Sequence, residues 1–182
     1  EYYYHIRSTT MEDPIEKAAR FIYLNRTCFN GIYRVNLKGE FNVPKGSKNS
    51  VVLDTDDFGA LANLLNQATI VTSDFEDLID TAREGDLIFA DPPYTVRHNL
   101  NGFVQYNEKL FSWDDQIRLA DALAKARNNG AQIISTNANH ESVRELYQER
   151  DFKFDIVSRF SSISAKSASR NKFEELVIQS IE

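Results

Sequence analysis

Residues 86 to 95 read DLIFADPPYT, an apolar run that ends in an acid, two prolines and a tyrosine. The chain has only 4 prolines, and two of them, Pro92 and Pro93, stand together at this place. Each proline locks its φ at about −65°, and a residue that precedes proline is pushed into extended backbone. Asp91 and Pro92 both precede a proline and are therefore held stiffly. The Pro92 carbonyl is aimed beside the Asp91 carboxylate, with no proline N–H to compete for it. Two such acceptors suit an amino group, one N–H pointing at each oxygen. The exocyclic amine of a nucleobase is a weak nucleophile because its lone pair is delocalised into the ring. Two hydrogen bonds that favour a tetrahedral nitrogen localise that pair, and the carboxylate stabilises the positive charge that develops as the nitrogen is alkylated. Asp91 then activates the amine without first deprotonating it, and Tyr94 offers a face on which an extruded base can stack. The plainer alternative is that Pro92 and Pro93 only end a strand and Tyr94 packs.

Such a group of residues needs a strand to carry it, and the surrounding pattern supplies several. TIVTSDF (69–75), DLIFAD (86–91), AQIISTN (131–137) and FDIVSRF (154–160) are short apolar runs with β-branched content, and ELVIQSI (175–181) follows as a last strand. Helical stretches lie between several of them, at 112–129, opened by Ser112, and at 140–149. The alternation predicts an α/β layer with a largely parallel sheet covered on both faces. In such sheets ligands bind at the carboxyl ends of strands, where Asp74, Asp91 and Asn137 would gather. Upstream, Asp13, Pro14 and Glu16 form a capping-box pattern that starts a helix to about Asn25, with Ile15, Ala18, Ala19 and Ile22 as its buried stripe. Gly31, Gly39, Pro44 and Gly46 interrupt the β-prone pieces IYRV and EFNV, an irregular hairpin with a long loop. Thr55 is the expected cap of a further helix with Leu61, Leu64 and Leu65 on its apolar face.

Bulk properties narrow the class. A chain of 182 residues that is 42% hydrophobic can bury a core of its own. No apolar stretch approaches the roughly 18 residues of a membrane span, so no membrane partner is expected. Cys28 is the only cysteine, which excludes an intrachain disulfide and fits a reducing cytoplasm. His5, His98 and His140 are isolated, and no metal site is expected. The net charge of −6 argues against a generally basic surface. Locally, however, residues 31–48 hold Arg34, Lys38, Lys45 and Lys48 against Glu40 alone, and residues 159–172 hold Arg159, Lys166, Arg170 and Lys172 with no acid. On charge alone these islands are either solvated loops or contacts for a polyanion.

The DPPY of residues 91 to 94 resembles the catalytic motif of amino-methyltransferases, which use S-adenosylmethionine on adenine N6 or cytosine N4. LNRTCFNGIYRVNLKGEFNVPKG, residues 24 to 46, is similar to the target-recognition hairpin of the DNA adenine methyltransferases that modify GATC. FVQYNEKLFSWDDQ and RFSSISAKSASRNKFEELVI are similar to that family as well, so the resemblance covers nearly the whole chain. It implies a partial Rossmann-like sheet of class I methyltransferase type (68–182) and an inserted target-recognition helix and hairpin (1–67). It implies that Asp91, Pro92, Pro93 and Tyr94 are catalytic, and that double-stranded DNA is the partner. Asn30 and Arg34 would lie in the recognition hairpin, where an arginine reading guanine N7 and O6 is worth about 1–3 kcal/mol of discrimination. Ile32 and Pro44 would contact a thymine methyl, and Lys38, Lys45 and Lys48 the phosphates. Asp74 and Phe75 match the position near the cofactor's adenine ring, with Asp91 also on the cofactor side, although an acid at 74 equally suits the cap of the following helix.

The resemblance has two departures. The aromatic that related enzymes often carry just after the hairpin is missing at Ser47 and Lys48. The family's opening lysine-bearing segment and F-x-G-x-G turn, which hold the methionine part of the cofactor, are also missing; the first glycine is Gly31. The expectation is therefore a recognition and catalytic part without most of its cofactor half: a fragment, a processed chain, or one subunit of a split enzyme whose missing segment lies on a second chain. TIVTS would then lack neighbouring strands. The setting is the cytoplasm of a bacterium or archaeon, or a phage-encoded protein, with or without a partner restriction enzyme. The alternatives are a sequence-specific DNA-binding fragment without catalysis and a cytosine N4 enzyme.

Overall fold

The computed structural model describes residues 1–36, 38–95, 111–160 and 172–180. The chain divides into two compact units, Glu1–Ile70 and Val71–Glu182.

In the first unit, α1 (Tyr2–Ser8) and α2 (Pro14–Thr27) precede a 3-10 turn (Phe29–Gly31) and, further on, α3 (Phe58–Leu65). The Asp13 carboxylate accepts the Ile15 and Glu16 N–H groups, and Pro14 opens the helix, where its missing N–H costs nothing. The expected stripe is not the buried one: Ile15 is 80% exposed and Ala18 and Ala19 lie open. The opposite end of α2 is buried instead, through Leu24 and Thr27, and Leu24 joins Tyr3, Cys28, Phe41 and Val43 in a small core. The Tyr3 hydroxyl donates to the Val43 carbonyl at 3.0 Å, tying α1 to the hairpin, and burial pushes that phenol up to about 12. The hairpin is irregular, held by isolated antiparallel bridges between Cys28 and Lys45 and between Val35 and Phe41. At its base the Gly46 N–H donates to the Thr27 carbonyl at 2.8 Å. A Cβ on Gly46 would stand 2.5 Å from the Cys28 carbonyl oxygen, so only glycine fits this close approach. α3 is capped by Asp57 rather than Thr55, and the apolar face of Leu61, Leu64 and Leu65 is exposed. None of the eight residues of this helix is buried, whatever its periodicity.

The second unit contains α4 (Phe75–Ile79), β1 (Leu87–Ala90), α5 (Trp113–Asn128), β2 (Gln132–Ala138), α6 (Glu141–Gln148), β3 (Lys153–Phe160) and β4 (Lys172–Gln179). The sheet order is β1-β2-β4-β3. Only β1 and β2 run parallel; β2 with β4, and β4 with β3, are antiparallel. This corrects the expectation of a largely parallel sheet. Ile133, Ser135 and Asn137 of β2 and Leu176 and Ile178 of β4 are buried on one face, in a core shared with Leu119, Leu123 and Ala126 of α5 and Val143, Leu146 and Tyr147 of α6. Among the described residues the other face is open, with Phe89 65% exposed, which corrects the expectation of two covered faces. The alternation of half-buried and buried residues from Glu175 to Gln179 in β4 belongs to an antiparallel strand with one better-covered face.

TIVTS is not a strand. Residues 69–74 form no ladder, and Ile70 is 73% exposed. Extended backbone becomes a strand only where a neighbour takes its N–H and C=O groups, and none among the described residues does so here. α5 begins as the sequence predicts: Ser112 Oγ accepts the Asp115 N–H at 3.1 Å, while the Asp115 carboxylate accepts the Ser112 N–H at 2.9 Å. His140 caps α6 through Nδ1, which makes a structural role for this histidine explicit.

Candidate active site

β1 ends at Ala90 and delivers Asp91, Pro92, Pro93, Tyr94 and Thr95 to the carboxyl edge of the parallel pair. Ala90 is opposite Ser135, so the next rung sets Asp91 beside Thr136. The Thr136 hydroxyl donates to Asp91 Oδ1 at 2.5 Å. From the helical face of the sheet, Gln116 Nε2 donates to the Pro93 carbonyl at 3.2 Å, and Gln116 Oε1 accepts from Asn137 Nδ2 at 3.1 Å. Asn137 Oδ1 in turn accepts the Ala138 N–H at 2.9 Å. Thr95 is fully buried, and its hydroxyl donates to the Phe111 carbonyl at 2.6 Å. The motif is thus gripped at Asp91, Pro93 and Thr95. Among the described residues no hydrogen bond reaches the Pro92 carbonyl or Asp91 Oδ2, which leaves an acceptor pair open to a ligand.

A cleft of about 920 Å³ runs along the outer edge of β1. Ser73, Asp74 and Phe75 line it together with Leu78 and Ile79 of α4, and Asp91, Pro92 and Pro93 line it at the strand end. Asp74 caps α4 by accepting the Glu76 N–H at 2.9 Å and also accepts from Arg118 Nη2 at 2.9 Å. These two bonds, the helix N–H first, hold its carboxyl below the usual range. Arg118 also pairs with Glu76 and Asp115, and its guanidinium lies 4.9 Å from the centre of the Phe75 ring. Phe75 packs against Phe111 at 5.6 Å between ring centres. The cleft therefore has a fixed carboxylate and a fixed ring along its wall and an open acceptor pair at the strand end.

The hairpin residues singled out from the sequence belong to the first unit, and all seven are exposed: Asn30, Ile32, Arg34, Lys38, Pro44, Lys45 and Lys48. Asn30 takes the left-handed conformation, φ 58°, in the 3-10 turn, a region where asparagine is among the better tolerated residues. Among the described residues the Arg34 side chain has one long hydrogen bond, Nε to Asn42 Oδ1 at 3.4 Å, so its guanidinium remains available. The side chains of Arg159 and Lys172, together with Lys166, Arg170, His98, Phe103 and Tyr106, lie outside the described residues. Sequence reasoning did not find Thr136, Gln116 or Arg118. The one local signal was position: Thr136 adjoins Asn137 at the end of AQIISTN, and Gln116 sits in the first turn after the Ser112 cap.

Known proteins share this arrangement of sequence. The chain is 34% identical over 187 residues to a type II methyltransferase of Lactococcus lactis subsp. cremoris, which covers 98% of the chain and 65% of that protein. It is 36% identical over 158 residues to a DNA N-6-adenine-methyltransferase of Escherichia phage P1, covering 87% of the chain and 21% of the relative. With a DNA adenine methylase of Vibrio cholerae it shares 32% identity over 167 residues, 91% of the chain and 60% of the relative. The chain thus spans less than two thirds of each of these relatives. The family model for D12 class N6 adenine-specific DNA methyltransferases matches residues 1–163, nearly all of the chain, and it is to this family that the protein belongs.

Proposed function

We propose that the protein methylates adenine N6 in duplex DNA at GATC, with S-adenosylmethionine as methyl donor. Residues 1–67 serve as the target-recognition helix and hairpin inserted in a Rossmann-like catalytic region, residues 68–182. The observation that carries this reading is the Asp91 carboxylate and Pro92 carbonyl at the end of β1, beside a cleft and with one Asp91 oxygen already engaged by Thr136.

The cleft's lining fits a nucleoside cofactor. Ser73, Asp74 and Phe75 would hold its adenine, a carboxylate for an amino group and a ring for a base face. Bound there, S-adenosylmethionine supplies an electrophilic methyl group. Asp91 Oδ2 and the Pro92 carbonyl accept the two N–H groups of the target amine and draw its lone pair out of the ring. Tyr94 stacks on the flipped base, and Asp91 stabilises the charge on nitrogen until a proton leaves. Arg34 reads guanine, Ile32 and Pro44 meet a thymine methyl, Asn30 completes the hairpin surface, and Lys38, Lys45 and Lys48 hold phosphates. The reading places the protein in a bacterial, archaeal or phage-infected cytoplasm, where such an enzyme acts alone or beside a restriction endonuclease.

The test is product identity. Duplexes with one GATC site, or with that site scrambled, are incubated with the full-length protein and S-adenosylmethionine and then digested to nucleosides. N6-methyladenine from the GATC duplex alone is expected. N4-methylcytosine, or binding without any methylated product, would overturn the reading.

A further inference from the structure

Two polar side chains that have no part in the chemistry proposed above, Thr136 and Gln116, grip the DPPY segment, and Asn137 holds Gln116. They act on two torsions that the prolines leave loose. A carboxylate turns easily about its last bond, because sp³–sp² torsions have broad wells. Thr136 removes that freedom for Asp91, since its hydroxyl engages Oδ1 at 2.5 Å. It is itself well anchored, a β-branched residue inside the β2 ladder, paired across to Val177 of β4. With Oδ1 engaged, Oδ2 is the oxygen left for a substrate N–H.

The second torsion is ψ of Pro93. Ring closure fixes φ, so the direction in which the chain leaves Pro93 for Tyr94 depends on ψ alone. Gln116 Nε2 takes hold of the Pro93 carbonyl at 3.2 Å and so fixes that peptide plane. The orientation of the Gln116 amide is not arbitrary. The Ala138 N–H must donate to Asn137 Oδ1, which turns Asn137 Nδ2 towards Gln116 Oε1 and leaves Gln116 Nε2 for Pro93. Gln116 and Asn137 are both 0% exposed, so water does not replace either partner.

We infer that Thr136 and Gln116 are positioning residues of the methyl transfer: Thr136 orients the Asp91 carboxylate towards the target amine, and Gln116, held by Asn137, sets the Pro93 peptide that aims Tyr94 at the base. The inference rests on the reading of Asp91 and Tyr94 given above. It predicts damage to the chemical step with little effect on binding, because neither residue meets DNA or cofactor in this scheme.

The experiment compares the full-length protein with Thr136→Val, Thr136→Ser, Gln116→Glu and Asp91→Ala in methyl transfer to a GATC duplex. Thr136→Val keeps shape and loses the donor; Gln116→Glu keeps the partner of Asn137 and replaces the donor to Pro93 with an oxygen. For Thr136→Val the expected result is a kcat lower by about 10²-fold, the loss that a small misplacement of reacting groups causes. Its KM values for duplex and cofactor stay within about twofold, because binding contacts are untouched. Serine restores kcat, since it returns the hydroxyl, and Gln116→Glu follows the valine pattern. The inference is overturned if Thr136→Val and Gln116→Glu keep kcat within about threefold of the unaltered protein, if KM absorbs the loss, or if serine is as poor as valine. Transfer that survives Asp91→Ala, or no transfer by the unaltered protein, overturns the methyltransferase reading itself and the inference with it.

Discussion

At the scale of single residues, exposure separates those open to a ligand from those that hold the fold. Arg34 stands exposed on the hairpin with one long contact at 3.4 Å, so removing it disturbs no packing. Arg34→Ala is expected to cost about 1–3 kcal/mol of discrimination between GATC and a site with its guanine replaced. Competition binding with the two duplexes measures this, and an unchanged preference would remove Arg34 from base reading. Tyr147 is the opposite case. It is fully buried in the core of the second unit, and its hydroxyl and Ser135 Oγ are neighbours without a hydrogen bond of good geometry. Burial pushes this phenol up to about 12. A buried hydroxyl that gains no bond contributes desolvation cost and little else, so Tyr147→Phe is expected to be neutral or stabilising by up to about 1 kcal/mol. Denaturant unfolding checks it, and a marked loss of stability would show that the hydroxyl does have a partner.

Among the elements, the helix ends and their ties carry the first unit. Arg26, near the end of α2, grips both oxygens of Asp56 and donates to the Val51 carbonyl at 2.6 Å, fastening the 51–56 loop to the helix. The hydrogen bond from Arg26, then that from the Leu53 N–H, lowers the Asp56 carboxyl from 3.8 to about 2. A group whose folded pKa lies below its unfolded value adds stability that is present in full above the unfolded value and is lost as pH falls through the folded one. Asp56→Asn should therefore lower stability at neutral pH and reduce the acid dependence between about pH 4 and pH 2. Thermal melts of both proteins across that window are the check. Equal slopes would mean that the pair contributes nothing.

What could be read from the sequence follows the range of the interaction concerned. The Ser112 cap and the start of α2 at Asp13 are settled within three or four residues, and both were legible. Strands β1 to β4 were legible as apolar runs, but their directions were not, because parallel and antiparallel pairing are decided by partners elsewhere. TIVTS has the composition of a strand and, among the described residues, no neighbour to complete it. In α2 the periodicity marked a face, yet burial follows the end that meets Tyr3 and the hairpin. At the site, DPPY announced itself because proline acts on adjacent backbone. Thr136 and Gln116 reach it across 45 and 23 residues, and only their positions, beside Asn137 and just after the Ser112 cap, marked them locally.

On the scale of the whole molecule, the net charge of −6 and the basic hairpin make opposite demands. Under the proposed function local cations would have to draw DNA in, and their number should appear in the salt dependence. With Lys38, Lys45 and Lys48 on phosphates, log K against log salt concentration is expected to fall with a slope of about −3, and each lysine replaced by alanine should reduce it by about 1. Titrations at several salt concentrations measure this, and a slope unchanged in the triple variant would place the phosphates elsewhere. Base contacts and catalysis are untouched by that experiment, which keeps affinity separate from chemistry.

The central claim is that Asp91, presented at the end of β1, makes an adenine amine in GATC nucleophilic. Its most direct measurement is transfer of labelled methyl from S-adenosylmethionine to a duplex with one GATC site, by the full-length protein and by its Asp91→Ala variant. The expected result is N6-adenine labelling that needs the intact site and falls by about 10³-fold or more in the variant, as loss of a group aimed at developing charge would produce. Labelling that ignores GATC, or that survives the loss of Asp91, would contradict it.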